Sequence, residues 1–181
     1  QTNLISVDIG GTSSDIALIE NAKPKLHSEG KIDGYPVRVN MVDVNAIGAG
    51  GGSLIWFDTA GGLRVGPDSA GANPGPACYG MGGKQATVTD ASVVLGFLNP
   101  ESFAGGSITL NASRSFDIIE KDVAKRLGLS ALEAAQGIHR IINAQMAEGI
   151  RKVSIQRGYD PRDFALIALG GAGPVHGTAL A

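Results

Sequence analysis

The chain has little cysteine, little histidine and no excess charge of either sign. Cys78 is its single cysteine, so no disulfide can form within it, which fits a reducing compartment and a cytoplasmic location. Three histidines are present, and their spacing from each other and from Cys78 does not build a zinc site. Fifteen Lys and Arg nearly balance 17 Asp and Glu, for a net charge of −2. No basic run is available to track a phosphate backbone, so nucleic acid is not an expected partner. No stretch approaches the ~20 uninterrupted apolar residues of a membrane helix, and no signal peptide precedes the first strand. Neither a membrane nor an export route is expected. Hydrophobic residues make up 43% of 181, enough for one domain with a core of its own.

Glycine is what the chain has in excess. There are 27, about twice the usual share of ~7%. They fall in blocks: Gly10-Gly11, Gly48 and Gly50 to Gly52, Gly61-Gly62, Gly80 with Gly82-Gly83, Gly105-Gly106, and Gly170-Gly171 with Gly173. Collagen would space them every third residue, and a flexible linker would mix them with serine. Blocks between apolar segments mark tight loops that bring backbone close to something.

Asn3 to Val7 reads as a buried strand, and Asp15 to Glu20 as a second one across the turn Gly10 to Ser14. After Asn21 to Pro24 a third strand is expected from Lys25 onward. Val37 to Val44 alternates apolar and polar and is expected as a strand. Ser53 to Asp58 and Leu63 to Val65 flank a hairpin, and Gly66 to Gly83 is expected as an ordered loop. Helices follow. Asp90 to Leu98 carries Thr89 or Asp90 near its N-cap. Ser115 to Leu127 ends at Gly128. Ser130 to about Gln156 opens on the capping-box pattern Ser130-Ala131-Leu132-Glu133. Its apolar face comprises Leu132, Ala135, Ile138, Ile142, Met146, Ile150 and Val153. Phe164 to Leu169 is a short strand, Gly170 to Pro174 a loop, and a helix begins near Val175. Hairpin strands first and helices after give an α/β domain with a mixed sheet, interrupted by a glycine- and proline-rich insertion at about 45–88.

Two segments can carry chemistry. In Asp8-Ile9-Gly10-Gly11-Thr12-Ser13-Ser14-Asp15 a strand ends in a carboxylate and two glycines let the backbone turn. Amides in such a turn can cradle phosphate oxygens, and Asp8 can hold Mg²⁺ through water. The plainer reading is a hairpin whose Thr12 and Asp15 satisfy the turn. In Leu169-Gly170-Gly171-Ala172-Gly173-Pro174-Val175-His176 a strand enters a glycine loop that opens a helix. That arrangement admits a flat ring or a phosphate at the backbone. The plainer reading is close strand–helix packing. As a pair, the segments resemble the two ligand loops of one lobe of the actin-like (ribonuclease H-like) ATPases. In that fold the first loop grips phosphates and the second lies along adenosine.

Longer strings carry a narrower resemblance. They are Val42-Asp43 with Ile47 to Ser53, Val65 to Gly80 (through Pro67-Asp68 and Asn73-Pro74-Gly75-Pro76-Ala77-Cys78-Tyr79), Thr87 to Ala91, and Arg157 to Phe164. Together they resemble the hydantoinase A/5-oxoprolinase family over essentially the whole chain. The resemblance implies that 1–181 is the second nucleotide-binding lobe of a longer chain. The first lobe would lie upstream, and a second subunit of the hydantoinase B type would act with it. Beginning at Gln1 beside a strand and stopping in a helix also fits a piece of a longer protein. Two positions depart from the family's pattern: Asn45 stands where members often carry His, and Asn73 where they usually carry Asp.

Asp43, Asp68 and Asp90 are candidates for an acidic cluster near the reacting group, with Asp90 alternatively a helix cap. Cys78 is a candidate thiol near substrate, though a cysteine without a base is more often inert. His27 and His139 read as surface or helix-face residues, and His176, in reach of a ligand at the second glycine loop, reads first as support for that turn. Arg151, Lys152 and Arg157 read as a solvated helix face or an interface to the other lobe. The resemblance implies ATP-dependent opening of a hydantoin or lactam ring, the phosphoryl group activating the carbonyl. ATP and Mg²⁺ are the expected cofactors and a small cyclic amide the expected substrate. Asp8, Gly10, Gly11, Thr12 and Asp15 would serve phosphate and metal, and Gly170, Gly171 and Gly173 adenosine. An ATP-dependent ketone carboxylase and a nucleotide-binding module without turnover are the other readings. The 181-residue piece alone is expected to be inactive, since half a cleft leaves the nucleotide wet.

Overall fold

Alternation of apolar residues drives the first two strands into one hairpin. β1 (Leu4–Ile9) and β2 (Ser14–Glu20) pair antiparallel, Leu4 opposite Ile19 through Ile9 opposite Ser14. Ile5, Val7 and Ile9 of β1 and Ile16 and Leu18 of β2 are buried on the same face, as the two-residue repeat of a strand requires. The computed structural model describes residues 2–28, 30–32 and 34–181. Short strands follow: β3 (Lys23–Pro24), β4 (Leu26–His27), β5 (Gly30–Ile32), β6 (Tyr35–Val37), β7 (Met41–Val42) and β8 (Val44–Ile47). The third strand expected from Lys25 onward is therefore two short pieces, and positions 29 and 33 within it lie outside the described residues. The strand expected over Val37 to Val44 is likewise broken: Val37 closes one strand, Met41–Val42 forms another and Val44 opens a third. β3 and β8 share one edge of β2, β3 against its end and β8 against its beginning.

β9 (Ser53–Phe57) and β10 (Leu63–Ser69) form the expected hairpin. β10 runs to Ser69, further than expected, and Ala77–Tyr79 winds into a short 3₁₀ turn inside the predicted loop. α1 (Val88–Val94) follows, ending before the expected Leu98. α2 (Ala112–Ile119) starts at an Asn111 cap, upstream of the expected Ser115. It passes through a π-helical turn, Glu120–Ala124, into α3 (Lys125–Leu127), which ends at Gly128 as predicted. α4 (Ala131–Val153) carries the predicted capping box between Ser130 and Glu133. β11 (Ala165–Leu169) returns to pair parallel with β1, and α5 (Gly173–Leu180) closes the chain. The sheet is mixed, in the order β11-β1-β2-β3 with β8 also on β2, so the architecture is α/β.

α4 is the spine of the core. Ala134, Ala135, Ile138, Ile142, Met146, Ile150 and Val153 are buried along it, whereas Leu132, expected on that face, is half exposed. Leu132 sits in the first turn, a step off the stripe that its neighbour Ala134 occupies. Gly149 brings α4 down onto the sheet, since a Cβ there would meet Ile16 Cδ1 at 2.5 Å. Gln145 Nε2 donates to the Val65 carbonyl at 3.0 Å and ties the β9–β10 hairpin to the helix. No described helix is long and apolar enough to cross a membrane.

Candidate functional site

Because β1 and β11 are parallel neighbours, the two glycine segments leave the sheet side by side at the carboxyl ends of their strands. Asp8 stands in register with Leu169, and Ala172 N–H donates to the Ile9 carbonyl at 3.0 Å. The edge where parallel strands end is where open α/β sheets bind ligands.

The first turn is polarised by its neighbours. Gly10 N–H is closed on Ser13 O at 2.9 Å. The carbonyls of Gly10 and Gly11 accept from Gly51 and Gly52 N–H at 3.0 and 2.6 Å. The amides of Gly11 and Thr12 have no hydrogen-bond partner among the described residues, and both residues are exposed. The turn thus offers donors with its acceptors already taken, which suits an anion. The block around Gly50 is what the turn leans on. A Cβ on Gly50 would lie 2.7 Å from Gly10 O, and one on Gly52 would lie 2.8 Å from Gly11 O. Ser14 Oγ donates to the Ala49 carbonyl beneath. The sequence marked that block as a close backbone approach but did not identify its partner.

Asp8 and Asp15 are direct cross-strand partners, and both are exposed. Like charges placed opposite one another destabilise a strand pair unless something cationic offsets them.

The second loop divides its glycines by task. Gly170 has φ 78°, and a Cβ there would run into the Asp8 carboxylate and the Ile9 carbonyl. Gly173 packs α5 on β11, where a Cβ would stand 3.1 Å from Ala168 C. These two are explained by internal packing. Gly171 is not: its φ is ordinary and nothing lies within 4 Å of an added Cβ. Gly11 is the same. Both line one cavity of about 430 Å³; among the described residues Gly10, which also lines it and would meet only Ser13 O at 3.6 Å, and Gly137, on α4 away from it, likewise lack an internal reason.

That cavity is lined by Gly10, Gly11 and Gly51, by Thr89 and Ser92, and by Gly171, Ala172 and Val175, with Phe97, Leu98 and Phe103 and the polar Tyr79, Asn99 and Ser102 also on its wall. Asp8, Thr12 and Asp15 are not among its lining residues. His176 is, and it is buried. Its Nδ1 lies 2.7 Å from Asn143 Oδ1, its ring stacks on His139 at 5.0 Å between centroids, and its Nε2 is buried without a partner among the described residues. His139 Nε2 in turn lies 2.9 Å from Ser92 Oγ. Burial holds both imidazoles down to a pKa of about 4, His139 adding its charge to the effect on His176. His139 is therefore no surface residue. The signal was present in the periodicity, because position 139 falls four after Ala135 and three before Ile142 on the buried stripe.

The three acidic candidates do not form a cluster. Asp90 is fully buried. Its carboxylate accepts from Ala77 N and Cys78 N at 3.2 and 3.0 Å, from Thr87 N and Oγ1 at 3.2 and 2.7 Å, and from Ser115 Oγ at 2.9 Å. It is the third helical residue of a capping box whose N-cap is Thr87, not Thr89 or Asp90. Two of these bonds hold the proline–glycine loop to α1, two close the α1 cap and one ties α2 to it. Asp43 is paired with Arg157, whose Nη2 donates to Oδ1 at 3.1 Å. Arg157 is thereby an internal clamp and not a free basic face, whereas Arg151 pairs with Glu148 on the exposed side of α4. Asp68 is exposed on β10. Cys78 is buried, and its thiol is pushed up to about 12, first by burial and then by the Asp90 charge. A thiol held protonated is no nucleophile. Among the described residues no three His, Cys, Asp or Glu side chains converge to hold a metal ion. Asn45 lies on β8 against α4 with its Nδ2 buried and unpartnered, and it is not among the cavity's lining residues. Asn73 is exposed in its loop.

A parallel-stranded edge, two glycine loops and a cavity between them make an α/β unit with a candidate ligand site, and comparison with known proteins says which family it is from. The family model described as Hydantoinase/oxoprolinase matches residues 1–181, and the chain belongs to that family. It is 50% identical over 179 residues to the caprolactamase subunit alpha of Pseudomonas jessenii, covering 99% of this chain and 26% of that protein. The crystal structure of the ATP-dependent caprolactamase from Pseudomonas jessenii superposes with a TM-score of 0.90 at 49% identity, over 99% of this chain and 26% of that one. The nucleotide-free structure of acetone carboxylase matches with a TM-score of 0.90 at 35% identity, over 99% and 25%. The chain spans about a quarter of the length of these relatives.

Proposed function

We propose that this chain is the second nucleotide-binding lobe, of the actin-like type, in a longer ATP-dependent amidohydrolase that opens lactam or hydantoin rings. The observation that carries the reading is the polarised first turn. Gly11 and Thr12 amides stand open at the same sheet edge as the second glycine loop, beside a cavity that Gly11 and Gly171 leave clear. The likeness to an ATP-dependent lactam-opening enzyme supports the choice of nucleotide and of reaction.

A lactam carbonyl resists water because nitrogen donates into it. Transfer of the terminal phosphoryl group to the carbonyl oxygen makes that oxygen a leaving group. Water then adds at the carbon, the C–N bond breaks with a proton passing to nitrogen, and a second water releases phosphate from the resulting acyl phosphate to leave an amino acid. The Gly11 and Thr12 amides orient the phosphates and offset charge that builds on them during transfer. Asp8 and Asp15 fit a Mg²⁺ ion as two facing carboxylates whose repulsion it would relieve, its other ligands coming from water and phosphate; bound there, it would neutralise phosphate charge. The other lobe of the same chain would cover the nucleotide, a second subunit of the hydantoinase B type would complete the enzyme, and the location would be the cytoplasm.

The likeness to acetone carboxylase supports a second reading, in which the same nucleotide site activates a ketone and bicarbonate. The test is phosphate release from Mg-ATP by the full-length parent with its neighbouring subunit. Hydantoins, 5-oxoproline and caprolactam form one arm, and small ketones with bicarbonate the other. Stimulation by a cyclic amide supports the first reading, and stimulation by ketone plus bicarbonate alone replaces it with the second. ATP binding with no stimulation leaves a nucleotide-binding module. Asp8→Ala lowers turnover by roughly 100-fold in the first two cases, and unchanged turnover removes the metal role.

A further inference from the structure

One part of the cavity wall belongs to neither glycine loop. Tyr79, from the 3₁₀ turn, and Phe97, Leu98, Asn99, Ser102 and Phe103, from the loop after α1, line the same space as Gly10 and Gly11. This part is built as a unit. Cys78, Val93 and Leu110 form a small core of their own, on which Tyr79, Leu98 and Phe103 pack. Leu110 N–H donates to the Pro100 carbonyl at 2.9 Å and Asn111 N–H to the Cys78 carbonyl at 2.8 Å, which holds the loop and the 3₁₀ turn together. The Tyr79 and Phe103 rings stand 5.7 Å apart. Ala104, next along the wall, has φ 49°, a conformation that costs energy in a residue with a Cβ.

The hydrogen bonds decide what its polar groups can offer. Asn99 Oδ1 accepts from Glu101 N–H at 3.0 Å, so the free end of the carboxamide is the nitrogen, which only donates. Tyr79 is half-buried. Its hydroxyl makes no hydrogen bond among the described residues and is not one of the sealed, unpartnered atoms, so a ligand can reach it. A hydroxyl can accept as well as donate.

An apolar wall with one fixed donor and one hydroxyl fits the edge of a cyclic amide. A small ring holds its amide cis, so the carbonyl oxygen and the N–H point to one side and the methylenes to the other. An open-chain secondary amide is trans and shows the two groups on opposite sides. We propose that this wall seats the ring of the cyclic amide, with Asn99 Nδ2 donating to the carbonyl oxygen and the Tyr79 hydroxyl accepting from the ring N–H. Asn99 takes one lone pair of that oxygen and leaves the other for the phosphoryl group, held at the turn of Gly10 and Gly11 in the same cavity. The assignment rests on the ring-opening reading above and names the residues that read the substrate.

The experiment uses the full-length parent with its neighbouring subunit. It measures KM for caprolactam, 5-oxoproline and hydantoin in ATP turnover, and Kd for ATP by calorimetry. The N-methyl derivative of whichever ring stimulates lacks the N–H and is expected to bind wild type about tenfold more weakly, one hydrogen bond's worth. Tyr79→Phe keeps the ring beside Phe103. It is expected to raise KM for the cyclic amide about tenfold while leaving the affinity for the N-methyl derivative and for ATP unchanged. Asn99→Asp keeps the bond from Glu101 N–H but sets lone pair against lone pair at the carbonyl, and is expected to raise KM about 100-fold. Equal wild-type affinity for the cyclic amide and its N-methyl derivative overturns the assignment, and that comparison needs no variant to fold. An unchanged KM in Tyr79→Phe or Asn99→Asp also overturns it. So do variants that weaken ATP and the cyclic amide alike, which would give the wall to the nucleotide. A wild type that binds ATP and is stimulated by none of the three rings removes the ring-opening reading itself, before any variant is made.

Discussion

Asp8 and Asp90 both follow an apolar or hydroxyl residue, both lie near glycine-rich backbone and both were candidates for chemistry. Their surroundings separate them. Asp90 is sealed in and accepts from two loop amides, its own N-cap threonine and Ser115. Asp8 is exposed, faces a second carboxylate and has the Gly170 backbone against it. A satisfied buried carboxylate is a structural bolt. An exposed one facing a second carboxylate has no such bonds among the described residues and is the place where the proposed cation would fit. The identity of the residue does not distinguish them; the count of donors around it does.

Breaking the bolt is expected to give the largest effect. Asp90→Ala strands the Ala77 and Cys78 amides and the Ser115 hydroxyl, and should lower unfolding stability by at least about 3 kcal/mol in urea titrations. A loss below about 1 kcal/mol would return Asp90 to the list of functional candidates. The second glycine loop offers a sharper contrast within four residues. Gly170→Ala has to adopt φ 78° and collide with Asp8 and Ile9, costing about 1–3 kcal/mol. Gly171→Ala meets nothing in the protein and should change stability by less than about 0.5 kcal/mol while weakening ATP binding of the parent about tenfold. If both variants lose stability equally, the division of labour between these glycines is wrong.

A smaller effect is expected from pH. His139 and His176 have folded pKa values near 4 against an ordinary 6.5. The unfolded chain therefore takes up protons first, and stability rises with pH in that interval. It should be fully present above about 6.5 and decline as pH falls toward 4. Replacing His139 by Phe should flatten that slope in a series of melts. The smallest expected signal belongs to Cys78. With its thiol at about 12, it should resist a thiol-reactive dye at pH 8 in the folded protein and react at once in urea.

Local patterns told most where they were short-range. The Ser130–Glu133 capping box and the Gly128 stop of α3 could be read directly, because cap and partner lie within a turn of each other. The α1 cap lies two residues before Thr89 and three before Asp90, because Thr87-Val88-Thr89-Asp90 is also a capping box and the acid is its third helical residue, not its cap. The broken strands between Val37 and Val44 kept an alternating pattern without the sheet partner that would extend them. The seam of Ser92, His139, Asn143 and His176 joins three helices, and no spacing along the chain announces a contact that only α4 packing creates. The first glycine turn was visible in sequence. Its prop was visible too, but not the fact that the two meet.

That meeting runs through Gly51 and Gly52, and Gly51 carries it on to the helix. Gly51 N–H holds the Gly10 carbonyl, and the Gly51 carbonyl is held twice by Thr89, through N–H at 2.7 Å and Oγ1 at 2.8 Å. Thr89 belongs to α1, which Asp90 bolts to the proline–glycine loop and Ser92 links to α4. The turn consequently has no slack. Under the proposed reading it works as an anvil: a bound anion would meet a surface already braced against the domain's core, so any movement that enclosed it would have to come from above.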